Sequence, residues 1–341
     1  MSQPTYYRHD DASAPVLTGE SGKLIDLLDA ILVDGYGSKA AAGWTKPFSG
    51  TDKAVYRNSG TQTFVRVVDD NARFGSLGVA ELWGYASMSD VDTGTGQFPT
   101  SANITSDPTQ RKQITKSITT DSTSRKWVAL ATDKTLILCI EHGDEGALSS
   151  RVHFIGDYIS LIPSDSANFA LLASNWEEDT TPSASRQFFS PNQIAEGDLA
   201  VNNDLRTYYG ALRQSAGSSA VTGSNAALDA FKIAGSTIAT RSGGTVFDEP
   251  PHPIYGYPLT EIYLVDTTDE IIRGRLPSFM FVMANMDQDE NSFTNYQDIS
   301  ISDPDEGSED YIYAGHSERW NSSFTGAGGA YLLEKSAEDW P

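Results

Sequence analysis

The sequence predicts a mainly β fold (α+β), built from antiparallel β-sandwich or barrel-like domains with one amphipathic helix near the N-terminus. Three observations favour this class: short runs rich in β-branched and aromatic residues, turn-forming residues between those runs, and a single stretch with helical periodicity. Apolar residues make up 39% of the 341 positions and aromatic residues 10%, so the chain can bury a substantial core.

The helix is predicted over residues 21–33, SGKLIDLLDAILV. Its leucines and isoleucines recur at intervals of three and four with charged residues between them, and Ser21 is the candidate N-cap. We expect the helix to end at Gly35 or Gly37. A phosphate-binding glycine loop precedes a helix, whereas these glycines follow one. They are therefore predicted to cap the helix C-terminus in left-handed conformations, with Lys39 neutralising its negative end.

Short β-like runs follow the helix. KAVYR, TFVRVVDD and VAELWGYAS are separated by turn residues, which predicts a meander. Residues 126–144, KWVALATDKTLILCIEHGD, predict a hairpin that turns near residues 132–134. The runs RVHFIGDYISLIP and FALLAS continue the pattern, so a β-rich domain is predicted over residues 16–175, after an N-terminal extension of residues 1–15.

Two polar stretches interrupt the β pattern. Residues 89–125 contain mostly Ser, Thr, Asp, Gly and Gln, which predicts a polar arm available to a partner. Residues 176–250 are rich in Ser, Gly and Ala and are interpreted as a linking or covering segment. Strand-like runs return at LTEIYLVD, EIIRGRL and SFMFVMAN, so an acidic β-rich C-terminal domain is predicted over residues 251–341.

Charge and composition exclude several classes of partner. The chain has 46 Asp and Glu against 24 Lys and Arg, a formal charge of −22, which disfavours nucleic acid and anionic membranes. No apolar run has the length of a membrane helix and the N-terminus lacks a signal-peptide pattern, so we expect synthesis in a cytoplasm and release by lysis or within a particle. The single cysteine, Cys139, lies in an apolar run and is predicted to be a buried, inert thiol.

The best match to a known site pattern is the acidic stretch DQDENSFTNYQD. Five of its residues stand at the first, third, fifth, ninth and twelfth positions of a calcium loop: Asp287, Asp289, Asn291, Asn295 and Asp298. However, serine replaces the turn glycine, Asp replaces the final Glu, and the preceding segment predicts a strand. A solvated acidic loop is the favoured interpretation, with calcium binding as the alternative. The same holds for DPDEGSED at 303–310, and DVDTG at 90–94 favours a turn.

No catalytic arrangement and no cofactor site are predicted. The phosphate-loop, G-x-S-x-G and H-E-x-x-H motifs are absent, and the five histidines lack metal-ligand spacing. Cys139 and His142 are three residues apart, so their side chains would point to opposite faces of a strand. Because 46 acidic residues give many chance pairs, no glycosidase pair can be selected. We expect a protein that is not an enzyme.

The passage from Gly22 to Gly60, with its leucine-rich helix and its GYG, AGW and PF elements, resembles the opening of a group of tailed-bacteriophage virion structural proteins. Further similar stretches are RVVDDNAR, GYASMSDVDTGTGQFPT, RKWVALATDKTLIL, IIRGRLPSFMF and AYLLEKSAEDWP. The resemblance implies a particle component without catalysis, located in the tail or at its tip.

Three functions remain open on these grounds. The first is a non-enzymatic virion structural protein that contacts copies of itself and other virion proteins in the tail or baseplate, with capsid decoration or the neck as alternative positions. The second is a virion protein that binds host-surface glycan through platforms at Trp176, Trp320 or Trp340 and through loop carboxylates. The third is a polysaccharide-degrading enzyme, which would need two carboxylates across a cleft.

Overall fold

Strands dominate the computed structural model, and the predicted mainly β class is confirmed. The structure describes residues 3–72, 75–101, 112–143, 150–173, 210–212, 231–234, 259–266, 271–283, 296–303, 307–316, 329–335 and 340–341. Within these ranges three large antiparallel sheets and one two-stranded hairpin form. No helix in these ranges is long and apolar enough to cross a membrane.

The first large sheet, called the front sheet, has five strands in the order β2-β3-β4-β5-β8. These strands are β2 (Thr45–Gly50), β3 (Lys53–Arg57), β4 (Phe64–Val68), β5 (Gly78–Tyr85) and β8 (Lys112–Ser117). Strands β2 to β5 pair with their sequence neighbours, so the predicted meander is confirmed. Between β5 and β8 the chain makes the small hairpin of β6 (Ser87–Met88) and β7 (Gly94–Thr95).

The second sheet, called the central sheet, has six strands in the order β1-β9-β10-β11-β13-β14. They are β1 (Thr5–Arg8), β9 (Trp127–Ala131), β10 (Thr135–Glu141), β11 (Ser150–Asp157), β13 (Phe169–Leu172) and β14 (Gly210–Leu212). The predicted hairpin turn is confirmed, because the Thr132 N–H donates to the carbonyl of Thr135 at 2.9 Å between β9 and β10.

The third sheet, called the back sheet, follows the order β15-β16-β17-β20-β19-β18, and β12 also pairs with β17. Its strands are β12 (Ile159–Ser160), β15 (Phe231–Ala234), β16 (Leu259–Asp266), β17 (Ile271–Met283), β18 (Asp298–Asp303), β19 (Gly307–His316) and β20 (Gly329–Glu334). Strands β14 and β15 come from the predicted linking segment, whose other residues lie outside the described ranges.

The central sheet is buried on both faces. Leu136, Leu138 and Ile140 of β10 point into a front core shared with the front sheet and the helix. Ile137 and Cys139 point into a back core shared with the back sheet. Since successive side chains of a strand alternate between faces, burial of both faces requires the continuous apolar run that the sequence shows. Cys139 is fully buried as predicted, and burial raises the pKa of its thiol far above the ordinary value.

The back core joins two stretches that the sequence analysis treats as separate domains. Leu264, Leu276, Ile312, Leu333 and Trp340 pack in one cluster with central-sheet residues. The domain boundaries themselves stay a prediction.

The helical segment consists of α1 (Lys23–Leu28) followed directly by a π-helical stretch (Asp29–Asp34), and it ends at Gly35 as predicted. Gly35 and Gly37 both have positive φ, at 76° and 54°. The predicted N-cap is wrong, since Gly22 holds that position in a left-handed conformation without a side-chain cap. The prediction for Lys39 is wrong too, because its ammonium donates to the carbonyl of Tyr6 at 2.8 Å.

The predicted polar arm is wrong for residues 112–117. Lys112–Ser117 forms β8, and all of its residues are buried. The sequence KQITKS looks solvent-exposed because it is polar, but Lys116 finds an ionic partner inside the protein in Asp69. Residues 102–111 of the same arm lie outside the described ranges.

Candidate functional site: an arginine–aromatic sheet face

The outer surface of the front sheet carries a patch of arginine and aromatic side chains, here called the arginine–aromatic face. It is defined by Arg57, Phe64, Arg66, Trp83 and Tyr85. The register places Arg57 opposite Phe64 and Phe64 opposite Tyr85, while Arg66 lies opposite Trp83 in the next row.

The alternation of side chains along each strand produces this face. The intervening residues Tyr56, Val65 and Leu82 point the other way, into the front core. Arg57, Phe64, Arg66, Trp83 and Tyr85 therefore lie on the outer side, which they share with Lys53, Val55 and Glu81. The period-two pattern is visible in KAVYR, FVRVV and GVAELWGY, although the sequence analysis did not identify it as a site.

Two cation–π contacts organise the face. The guanidinium of Arg57 lies 5.0 Å from the ring centroid of Phe64, and that of Arg66 lies 4.9 Å from the ring of Trp83. Such contacts contribute about 0.5–2 kcal/mol each, depending on desolvation. Both arginines and both rings are half-buried. The face therefore combines positive charge with flat apolar area in fixed positions.

The β6–β7 hairpin folds back over one edge of this face. The Asp92 carboxylate pairs with Arg66 and with Lys53, whose Nζ lies 2.9 Å from Oδ1. The Nε of Arg66 donates to the carbonyl of Val91 at 2.8 Å. Hydrogen bonds from Lys53 and Arg66 lower the pKa of Asp92, and burial raises the pKa of Tyr85. DVDTG is thus a turn, as predicted, and its second aspartate, Asp92, pairs with two side-chain cations.

Arg57 differs from Arg66 because no carboxylate of the described residues pairs with it. Within the described part of the chain its guanidinium makes no ion pair, and its Nε is buried without a hydrogen-bond partner. A guanidinium presents a planar fork that matches a carboxylate. Arginine, tryptophan and tyrosine are also the residues that contribute most binding energy at protein interfaces. The arrangement is chemically suited to an acidic protein surface.

Only one of the five predicted calcium ligands lies among the residues that the structure describes. Asp287, Asp289, Asn291 and Asn295 lie outside the described residues, whereas Asp298 begins β18. Its carboxylate lies 3.3 Å from Nη1 of Arg8 and 2.9 Å from Nζ of Lys335.

These two cations occupy the surroundings in which a calcium ion would need further oxygen ligands. Among the described residues no group of three or more His, Cys, Asp or Glu side chains could hold a metal ion. The calcium site stays a prediction.

Of the three tryptophans predicted as glycan platforms, the structure describes only Trp340. Trp340 is 1% exposed and packs in the back core, so its prediction as a platform is wrong. Its indole ring fills the space between the central and back sheets. Trp176 and Trp320 lie outside the described residues.

A buried carboxylate, Asp157, joins the front sheet to the central sheet. It accepts hydrogen bonds from Nδ2 of Asn58 at 2.7 Å, from Oγ1 of Thr61 at 2.7 Å and from the Thr61 N–H at 2.9 Å. Burial raises its pKa despite these donors. All three of these side-chain hydrogen bonds come from the turn between β3 and β4, so Asp157 fixes the base of the arginine–aromatic face.

Comparison of the chain with protein-family models and with curated proteins finds no match.

Proposed function

We propose that the chain is a non-enzymatic structural protein of a tailed-bacteriophage virion, positioned in the tail or baseplate, and that it assembles through the arginine–aromatic face. The resemblance of the sequence to tailed-bacteriophage virion structural proteins supports the role in a virion. The observation that carries the assembly role is the pair of arginine–aromatic contacts on the outer side of the front sheet.

Charge supports the choice of partner. The chain has a formal charge of −22, yet Lys53, Arg57 and Arg66 lie together on the front sheet, where Lys53 and Arg66 share the single carboxylate of Asp92. A cationic patch on an acidic protein attracts acidic surfaces, and a second copy of this chain offers such a surface. The partner is therefore an acidic virion protein, copies of this chain included.

The position of the face on a packed sheet also favours a structural role. The front sheet is supported from below by the front core and by the central sheet. Interfaces on strands hold their side chains more precisely than interfaces on loops, because backbone pairing fixes each position. Arg57 and Trp83 thus reach a partner with little ordering cost.

The first experiment is cryo-electron microscopy of intact particles, with this chain traced into the map. We expect repeated copies at the tail or baseplate, with Arg57 against a carboxylate of a neighbouring chain. If the chain is absent from the particles, the virion role is wrong. If it is present with the arginine–aromatic face open to solvent, the role of the face is wrong.

The second experiment compares two charge reversals, Arg57→Glu and Lys126→Glu. Lys126 is the matched control, since its side chain is 59% exposed and pairs with Glu141 of the central sheet, not with a residue of the front sheet. We expect Arg57→Glu to lower the particle-bound fraction about tenfold or more, because loss of an interface anchor costs about 2 kcal/mol or more. Lys126→Glu should assemble normally. Thermal unfolding of both variants checks that the fold is intact, and equal incorporation would contradict the proposal.

A further inference from the structure

Lys116 and Asp69 form an ion pair deep inside the front core. Both side chains have no solvent exposure. Asp69 follows β4 and Lys116 lies in β8, so the pair spans the inner side of β5, which separates these strands in the sheet. The ammonium Nζ contacts Oδ1 of the carboxylate directly.

The two carboxylate oxygens of Asp69 have different partners. Oδ2 accepts the Leu24 N–H at 2.8 Å, and the backbone of Ile25 also hydrogen-bonds to this carboxylate. Oδ1 faces Lys116, whose Nζ also donates to the backbone carbonyl of Glu20. Oδ2 is therefore held by the Leu24 N–H, and Oδ1 faces the amine.

Burial opposes the charged forms of both groups. Burial raises the pKa of Asp69 to about 6 and lowers the pKa of Lys116, although each partner opposes the shift of the other. The carboxylates of Asp26 and Asp52 act on Lys116 from further away and favour its charged form. Proton transfer from the ammonium to Oδ1 yields a neutral amine in contact with a carboxylic acid.

We propose that Lys116 and Asp69 are joined by an intramolecular amide bond that the folded chain forms itself. After the proton transfer, the lone pair of Nζ attacks Cγ of Asp69 and a C–N bond forms. The electron pair of the C=O bond moves onto Oδ2, where the Leu24 N–H stabilises the negative charge, as a donor of an oxyanion hole does.

The intermediate then collapses and the bond from Cγ to Oδ1 breaks. Oδ1 leaves as water with one proton from the acid and one from the amine, and the product is a secondary amide. An ammonium and a carboxylate thus become an amide and one water molecule, without any oxidant, reductant or co-reactant.

The product retains the hydrogen bonds of the ion pair. The amide oxygen, formerly Oδ2, still accepts the Leu24 N–H, and the amide N–H still donates to the carbonyl of Glu20. Two buried charges are replaced by one neutral group, which removes their desolvation penalty. The crosslink needs no partner and is therefore independent of the proposed assembly role.

Intact mass spectrometry of the purified full-length chain tests this bond. We expect a mass lower than the sequence mass by one water molecule. Trypsin should release a branched peptide that joins residues 67–73 (VVDDNAR) to residues 113–125 (QITKSITTDSTSR), uncleaved after Lys116. Fragment ions should assign the branch to Asp69 and not to Asp70.

Two results would overturn the proposal. One is a folded chain with the full sequence mass and two separate peptides. The other is a water loss located elsewhere, such as a succinimide at Asp34–Gly35. The variant Lys116→Met should restore the full mass, whereas the control Lys46→Met should keep the deficit, because Lys46 pairs with Asp29 at a partly exposed site. Since the peptide map uses the natural chain, it decides the question even if Lys116→Met fails to fold.

Discussion

Truncation of β10 on either face tests whether the central sheet belongs to one cooperative structure. Leu138 points into the front core and Ile137 into the back core, and both are fully buried. If the two cores share this sheet, Leu138→Ala and Ile137→Ala should both lower the stability of the same unfolding transition. The two substitutions remove similar volumes from opposite faces of one strand.

The expected magnitudes follow from the cross-strand neighbours. Leu138 lies opposite Ala129, a small side chain that cannot fill the space, and opposite His153, a polar ring that does not replace the lost apolar contacts, so we expect a loss of about 4 kcal/mol. Ile137 lies opposite Leu130 and Phe154, which can move partly into the cavity, so we expect about 3 kcal/mol. At about 2 °C per kcal/mol for a chain of this size, the melting temperature should fall by roughly 8 °C and 6 °C.

Urea unfolding followed by tryptophan fluorescence and by far-ultraviolet circular dichroism measures both losses. The exposed Val16 provides the control, since Val16→Ala at a 61% exposed position should change stability by less than about 0.5 kcal/mol. If Ile137→Ala produces two separate transitions, with the front-core transition unchanged, the shared central sheet is refuted as a cooperative unit.

Three further predictions concern polar and reactive side chains. Asp157→Asn should destabilise the fold by about 1–3 kcal/mol, because an amide cannot accept all the hydrogen bonds of the carboxylate. Burial raises the pKa of Asp157 above its unfolded value, so the folded wild type binds a proton more readily than the unfolded chain. The wild type should therefore gain stability relative to Asp157→Asn as the pH falls from the folded pKa to the unfolded pKa of this carboxyl. Denaturation at several pH values measures the difference in unfolding free energy between the two proteins, and a difference that shrinks at low pH would contradict the prediction. Cys139 should resist thiol reagents in the native state and react completely in denaturant, and rapid native labelling would exclude the buried position. Asp298→Ala should cost less than about 1 kcal/mol, with a smaller effect in high salt, because its carboxylate is half-exposed; a larger loss would mean that its two ion pairs stabilise the fold more than surface pairs do.

The sequence predicted the elements whose signals are local. The hairpin around Thr132 follows from two apolar runs separated by turn residues, and the end of the helix follows from Gly35. Strand β8 escaped prediction because its burial depends on Asp69, which is 47 positions away from Lys116 along the chain. The N-terminus of the helix escaped prediction for the same reason. The Leu24 N–H donates to the carboxylate of Asp69, which is distant in sequence, and not to the hydroxyl of the nearby Ser21.

The candidate site was predictable in part. The alternation of Arg57, Phe64, Arg66 and Trp83 with core residues is present in the sequence, but only the pairing of β3, β4 and β5 brings the four side chains together. The calcium-like spacing around Asp298 is a purely local pattern. It could not reveal that cations from opposite ends of the chain pair with that carboxylate.

The pairing of β1 with β9 has a consequence for the order in which the protein folds. Tyr6 lies opposite Leu130, and the whole front sheet is encoded between them. The entropy of closing so long a loop must be offset before this pairing becomes favourable. The meander of β2 to β5 involves only short-range contacts and shortens that loop as it forms. The front sheet is therefore expected to assemble first, and the N-terminal strand to join the central sheet late, as the step that completes it.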